Sequence, residues 1–209
     1  ITLLAAAIST SESAESSSPP KAIEILPDTT VGFVCIEDVQ EFLEQVEATA
    51  MARMLRDPEL QPFVNHLVES AEEPFRNIEK ELGFSVDELR SIPQGNLCLA
   101  IVAPEQQGPV LTLIASVGDQ IAKARTIVET SQAKMADRGD LRASEVWEGT
   151  QITLLARAED IERETVFFEK DQTIVVTSNL AVSKQILSAM NKNGESSLAD
   201  NKKYNAIMT

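Results

Sequence analysis

The chain has 209 residues, 43% of them hydrophobic and 24% charged, which excludes wholesale disorder and a collagen-like fibre. Its 33 acidic and 18 basic residues give a formal net charge of -15. This charge argues against nucleic acid and anionic membrane as partners, because both recruit clusters of Lys and Arg.

An apolar run, Ile1–Ile8, is followed by a polar, serine-rich stretch, Ser9–Pro20. This order is typical of the end of a signal-peptide hydrophobic region and its cleavage zone, for which Ala5–Ala7 supplies small residues. The last turns of a membrane anchor would leave the same pattern, and a frayed Ala-rich end is the plainer alternative. We predict that residues 1–22 are the end of a signal peptide or anchor plus a linker, and that the domain is exported.

A single folded domain is predicted over residues 23–196. It opens with a strand, because Thr29–Ile36 is rich in β-branched and aromatic side chains. Three helices are predicted next, since capping boxes or an Asp-Pro start precede apolar residues at helical spacing. Their predicted ranges are 38–56, 57–82 and 85–92.

The rest of the domain is predicted to consist of hairpins and two further helices, because turn-forming residues separate short apolar runs. The predicted strand pairs are 97–103 with 110–117, 141–147 with 150–156, and 166–169 with 173–177. The predicted helices cover 119–137 and 178–193, and residues 197–209 are predicted to begin a truncated following segment. This order lacks regular βαβ alternation and predicts an α+β fold, an antiparallel sheet with amphipathic helices packed on one face.

The long apolar stripe of the predicted helix 57–82 has two interpretations. Packing on the sheet is the ordinary role of an amphipathic helix. Alternatively, the helix lines a hydrophobic cavity above a curved sheet, as in an exported carrier of lipid or another apolar ligand. The residues predicted to line such a pocket are Val64, Leu67, Val68, Ala71, Phe75 and Trp147.

The chain has two cysteines, Cys35 and Cys98, and each lies in a predicted strand. If those strands are neighbours, an exported protein can join the two thiols in a disulfide. Cysteines in apolar strands also serve as small buried core residues, and the sequence leaves both interpretations open. A zinc site needs about four Cys and His ligands, or three with an open position, at characteristic short spacing, and Cys35, His66 and Cys98 do not supply them.

No catalytic constellation is recognisable in the sequence. Nucleophilic catalysis of the Ser-His type would depend on His66, which lies beside the apolar stripe, as an exposed helix histidine does. Neither a phosphate-binding loop nor a dinucleotide-binding glycine pattern occurs. The acidic residues 159–164 are interpreted as a solvated turn. We predict no catalytic residue, no cofactor and no metal site.

Four stretches of caps, turns and apolar stripes occur together in this chain. They are residues 26–36, 56–63, 82–89 leading to 95–101, and 197–204. Together they resemble an uncharacterised family of exported bacterial proteins that is common in planctomycete-type genomes. The resemblance implies an extracytoplasmic location and a longer parent protein, and it implies no catalytic residues.

The sequence therefore predicts a non-enzymatic, extracytoplasmic interaction or structural domain. Its partner would be an unidentified protein or envelope component. The alternative function is an extracytoplasmic carrier of a lipid or other apolar small molecule, and a carboxylate-dependent hydrolase ranks third.

Overall fold

The structure is a computed structural model that describes residues 21–49, 95–105, 107–157, 160–194 and 196–208. The described strands are β1 (Thr30–Ile36), β2 (Leu97–Val102), β3 (Val110–Ser116), β4 (Leu141–Trp147), β5 (Thr150–Arg157), β6 (Asp160–Lys170) and β7 (Thr173–Thr177). The described helices are α1 (Ala22–Ile25), α2 (Val39–Ala48), α3 (Ile121–Asp137), α4 (Leu180–Met190) and α5 (Lys202–Met208), with single 3-10 turns at Gly118–Gln120 and Leu198–Asp200.

The seven described strands form one sheet in the order β1-β2-β3-β7-β6-β5-β4. Every neighbouring pair is antiparallel, so the predicted α+β class and antiparallel sheet are confirmed. The two edges of the sheet are β1 and β4. These edges lie at opposite ends of the sheet.

Helices lie on both faces of the sheet, rather than on the single face that the sequence predicted. Successive strand residues point to opposite faces. In β3, Ile114 belongs to a buried cluster that includes residues of α1 and α4. Its neighbour Leu113 belongs to a second cluster, which includes Ala124 and Met135 of α3. All five residues of the central strand β7 are buried. A strand with buried side chains on both faces of the sheet must be covered by other elements on both faces.

Two hairpins turn at pairs of residues with positive φ. Glu148 and Gly149 have φ of 46° and 78°, and Asp171 and Gln172 have φ of 48° and 57°. Two consecutive left-handed residues form the tight turn whose twist matches that of the flanking strands. The first turn lies where the sequence predicted it, and the second lies one residue beyond the predicted Lys170-Asp171.

Strand β6 begins at Asp160, within the acidic stretch that the sequence analysis interpreted as a solvated turn. Asp160, Glu164 and Thr165 pair with β5 alone, because β7 ends opposite Val166. A strand segment with one neighbour tolerates charged side chains, which explains its unusual composition. One of its acids is used structurally, since the Glu164 carboxylate accepts a hydrogen bond of 2.6 Å from the Leu180 amide at the start of α4.

The last described residues return to the beginning of the domain. Pro27 and Ser197 form an isolated antiparallel bridge, and the Leu198 amide donates to the Leu26 carbonyl at 2.7 Å. Leu198 is buried in the cluster of α1 and α4. The stretch predicted to begin a following segment thus contacts the start of the domain through Ser197 and Leu198. Helix α1 has no predicted counterpart, because one turn is too short to show a periodic pattern.

Helix α2 agrees with the first part of the predicted helix 38–56, and the Asp38 carboxylate accepts the predicted capping hydrogen bond from the Glu41 amide at 2.9 Å. The end of that helix, and the predicted helices 57–82 and 85–92, lie outside the described residues. The histidine and most of the predicted pocket residues lie there too.

Candidate functional site

An open groove of about 400 Å³ runs between α3 and the sheet. One wall is a stripe of α3 that contains Arg125, Glu129 and Gln132, residues three or four apart that share one side of a helix. Thr153 of β5 and Phe167 of β6 line it from the sheet. These two residues are direct partners in the β5–β6 ladder, so they present adjacent side chains toward α3.

Two of the four charged side chains in the groove neutralise each other. The Arg125 guanidinium donates two hydrogen bonds of 2.6 Å to the two carboxylate oxygens of Glu169. These bonds to Glu169 raise the pKa of Arg125 above its ordinary value. A fork of two parallel bonds fixes both groups in direction as well as distance. This pair therefore forms a fixed end of the groove.

The other two charged side chains form no ion pair of their own among the described residues, although Glu129 is close enough to Arg125 to contribute to its raised pKa. Glu129 lies on α3 and Arg142 lies on β4, and both are exposed. Neither forms an ion pair or a side-chain hydrogen bond in the described part of the chain. The groove therefore presents an exposed carboxylate on α3 and an exposed guanidinium on β4.

Two polar side chains between these charges are nearly buried and also lack partners. Gln132 and Thr153 are each only 8% exposed, and both line the groove. No hydrogen bond joins either side chain to another described residue. Neither polar group is among the buried side-chain atoms without a hydrogen-bond partner, which in the described residues are Asn96 Oδ1 and Thr112 Oγ1. The carboxamide and the hydroxyl are therefore open to the groove and can hydrogen-bond to a molecule that enters it.

Strand β4 forms the outer rim of the groove and is exposed along its whole length. Val146 is 72% exposed, Leu141 60% and Trp147 39%. The register with β5 places Val146 and Arg142 on the face of α3, and Leu141 and Trp147 on the face of α4. An exposed edge strand with apolar side chains presents unpaired backbone groups to any strand that can approach it.

Contacts with α4 hold the β4 rim in place from the opposite face. The Lys184 ammonium lies 2.6 Å from the Glu145 carboxylate and 4.5 Å from the ring centroid of Trp147. The ammonium therefore makes both an ion pair and a cation–π contact with the same strand. These contacts orient Trp147 without burying it.

The turn after β4 is fixed by Glu148. Its carboxylate accepts hydrogen bonds from the side chains of Asn191, Ser188 and Asn193, at 2.6, 2.8 and 2.8 Å. The bonds from Asn191 and Ser188 are the main causes that hold the pKa of Glu148 below its ordinary 4.5. The carboxylate form of Glu148 thus ties the β4–β5 turn to the end of α4.

We expect the contribution of Glu148 to stability to depend on pH. Because its pKa is lower in the folded than in the unfolded protein, this contribution is complete above about pH 4.5 and is lost as the pH falls through the folded value. Glu148→Gln should therefore destabilise the protein at neutral pH and progressively less in acid. Urea unfolding midpoints at a series of pH values measure the difference.

Glu105→Gln supplies the baseline for that comparison, because Glu105 is exposed and has none of these three partners. A stability difference between wild type and Glu148→Gln that stays constant from neutral to acid pH would contradict the prediction.

The structure brings together only some of the residues that the sequence analysis singled out. Cys35 and Cys98 lie directly opposite each other in β1 and β2 and form a disulfide. Trp147 lies on the face of α4, away from the groove. The other predicted pocket residues, Val64, Leu67, Val68, Ala71 and Phe75, lie outside the described residues.

Sequence reasoning did not find Gln132, Thr153 or Arg142. Each comes from a different element, so no local spacing connects them. One signal was available, since Gln132 stands among the inward positions of a helix whose apolar stripe includes Val128 and Met135. A polar residue on an apolar stripe is a reason to expect a site.

Within the described residues, no group of three His, Cys, Asp or Glu side chains is placed to hold a metal ion. None of the described helices combines the length and apolar composition needed to cross a membrane. Comparison of the chain with protein-family models, with curated proteins and with solved structures found no match. The family resemblance therefore stays a prediction.

Proposed function

We propose that this protein is a non-enzymatic interaction domain that acts outside the cytoplasm and associates with a second copy of itself through strand β4. The observation that carries the proposal is the exposure of all seven β4 residues at the edge of the sheet. Pairing of two β4 strands would satisfy the backbone groups on both edges and continue one sheet through two molecules.

The side chains of β4 suit an antiparallel pair centred on Ser144. In that register Leu141 lies opposite Trp147 of the second copy, and Arg142 lies opposite its Val146. Directly opposite residues on one face of a sheet contact each other, so the pair would cover three exposed apolar side chains on each copy. Like charges do not meet, because Glu145 lies opposite Ala143. The strand is therefore complementary to itself.

The disulfide supports the extracytoplasmic part of the proposal. Disulfides persist in oxidising compartments and are rare in a reducing cytoplasm. Cys98 is fully buried, and Cys35 packs against the same cluster. A bond that forms part of the core fits a protein that folds where thiols are oxidised.

The alternative function, a carrier of lipid, has less support in the described residues. Four charged side chains line the groove, namely Arg125, Glu129, Arg142 and Glu169. Burying long hydrocarbon against charges is unfavourable, because those charges would lose water without gaining partners. The groove suits a polar ligand better than an acyl chain.

Two substitutions at Val146 test the proposed register. Val146 is 72% exposed, so neither change should affect folding of the monomer. In a pair centred on Ser144, Val146→Glu meets Arg142 of the second copy, whereas Val146→Lys meets it with a like charge. Because symmetry repeats each contact, we expect the dimer dissociation constants of the two variants to differ by about tenfold or more. Sedimentation equilibrium over a concentration series measures them.

The outcomes separate three cases. Tighter association of Val146→Glu than of Val146→Lys supports the register, and Ser144→Cys should then give a covalent dimer on oxidation. Equal weakening by both substitutions overturns the register. A wild-type protein that stays monomeric at the highest concentration overturns association with a second copy, and leaves another protein's extended segment as the occupant of β4.

A further inference from the structure

The groove between α3 and the sheet contains a separated pair of opposite charges. Glu129 on α3 and Arg142 on β4 each lack an ion-pair partner in the described part of the chain. The remaining two charges, on Arg125 and Glu169, are bound to each other. A ligand that matches this arrangement carries one negative and one positive group at once.

The nearly buried side chains lie between the two charged walls. Gln132 is one helical turn beyond Glu129, at the spacing that places both on one side of α3. Thr153 is opposite Ser144 in the β4–β5 ladder and thus diagonal to Arg142 on the same face. A carboxamide and a hydroxyl both donate and accept hydrogen bonds, so they can serve either end of a small polar ligand.

The apolar lining defines the rest of the ligand. Phe167 and Ile174 are buried residues of the sheet, and Val128 is a half-buried residue of α3, and all three line the groove. A volume of about 400 Å³ lies in the range of small-molecule sites, which combine apolar walls with a few convergent polar groups. The ligand is therefore small, with an apolar portion between its charges and the sheet.

From these features we infer that the groove binds a small zwitterion of the apolar amino acid class. The ligand carboxylate pairs with the Arg142 guanidinium, and its ammonium pairs with the Glu129 carboxylate. Gln132 and Thr153 line the groove and can hydrogen-bond to the ligand, and the ligand side chain rests against Phe167. This inference does not rest on the proposed association through β4, although Arg142 takes part in both.

L-leucine and L-phenylalanine are the probes for the binding test. Titration of the isotope-labelled full chain by NMR should shift the side-chain amide signals of Gln132 and the amide signals of Thr153. Isocaproate is leucine without its ammonium group, and isoamylamine is leucine without its carboxylate. We expect each to bind at least tenfold more weakly than leucine.

Two charge-removing variants locate the ligand in the groove. Glu129 and Arg142 are exposed, so Glu129→Gln and Arg142→Gln should fold normally. Each should weaken leucine binding about tenfold or more, because each removes a charge-assisted contact. Glu129→Gln should also abolish the preference for leucine over isocaproate. Arg138→Gln and Glu105→Gln change the charge equally at positions that do not line the groove, and should bind as wild type does.

Three results would overturn the inference. The first is that neither L-leucine nor L-phenylalanine changes the NMR signals of Gln132 and Thr153. The second is binding that Glu129→Gln and Arg142→Gln leave unchanged. The third is equal binding of leucine and isocaproate by the wild-type protein, which would describe a site for anions alone. The titrations are made at protein concentrations at which the protein does not self-associate. Absence of ligand binding can then be told apart from absence of association through β4.

Discussion

Removal of the Cys35–Cys98 disulfide should lower the free energy of unfolding by about 4 kcal/mol. The two cysteines are 63 residues apart, and a crosslink that closes a loop of this size restricts the unfolded chain strongly. The same bond joins β1 to β2 at directly opposite positions. Its loss therefore removes both the restriction on the unfolded chain and the covalent link between β1 and β2.

The Cys35→Ala/Cys98→Ala double variant is the appropriate test, because alanine leaves no thiol and buries no new polar group at Cys98. Its urea midpoint should fall well below that of the oxidised wild-type protein, with a thermal midpoint lower by on the order of 10 °C. A thiol reductant should bring the wild-type protein to the stability of the variant and leave the variant unchanged. Equal midpoints of oxidised wild type and variant would show that the bond contributes little.

Gly95→Ala is the second substitution for which we expect a large effect. Gly95 has φ of 117°, and a Cβ atom there would lie 2.7 Å from the backbone carbonyl oxygen of Ser116. The strained backbone and the contact with β3 should together lower the free energy of unfolding by about 3 kcal/mol. The Gly95 carbonyl also accepts a hydrogen bond from the Val39 amide. A shift of the backbone at residue 95 would therefore also disturb the start of α2.

Gly139→Ala is the matched control for this prediction. Gly139 has φ of 91°, but nothing lies within 4 Å of a Cβ atom placed there. This variant has the backbone strain without the contact, so its free energy of unfolding should fall by only about 1 kcal/mol. Urea denaturation of the three proteins separates the two contributions. If both variants lose the same amount, the close approach to Ser116 has no energetic importance.

Local features of the fold could be predicted from the sequence, because local residues determine them. The turn at Glu148 and Gly149 depends on two adjacent residues with positive φ, and the strands that it joins pair directly on either side of it. The cap at Asp38 depends on a side chain and an amide three residues away. In both places, one short stretch of chain carries all the necessary information.

Features that depend on distant pairing could not be predicted. The sequence left the disulfide open, because it depends on whether β1 and β2 are neighbours across the long segment between them. The number of covered faces depends on which strands are central, and strand order is not encoded locally. The groove is the extreme case, since Gln132, Thr153 and Arg142 become neighbours only when α3 packs on the completed sheet.

Arg142 has a part in both proposals. It lines the groove, and it lies opposite Val146 of the second copy in the proposed strand pair. If both proposals hold, binding of a zwitterion and association through β4 compete or cooperate through this one guanidinium. By thermodynamic linkage, the ligand would change the association constant by the same factor by which association changes ligand affinity.

The contact between the beginning and the end of the described domain has a mechanical consequence. The Leu198 amide is bound to the Leu26 carbonyl, and the Asn201 carboxamide donates to the Asp28 carbonyl, each at 2.7 Å. A force that pulls the two ends of the described domain apart acts on the contact between the Phe33 and Tyr204 rings and on these two hydrogen bonds. They would rupture before any strand of the sheet is displaced, so the contact would act as a breakable clamp that protects the sheet under tension.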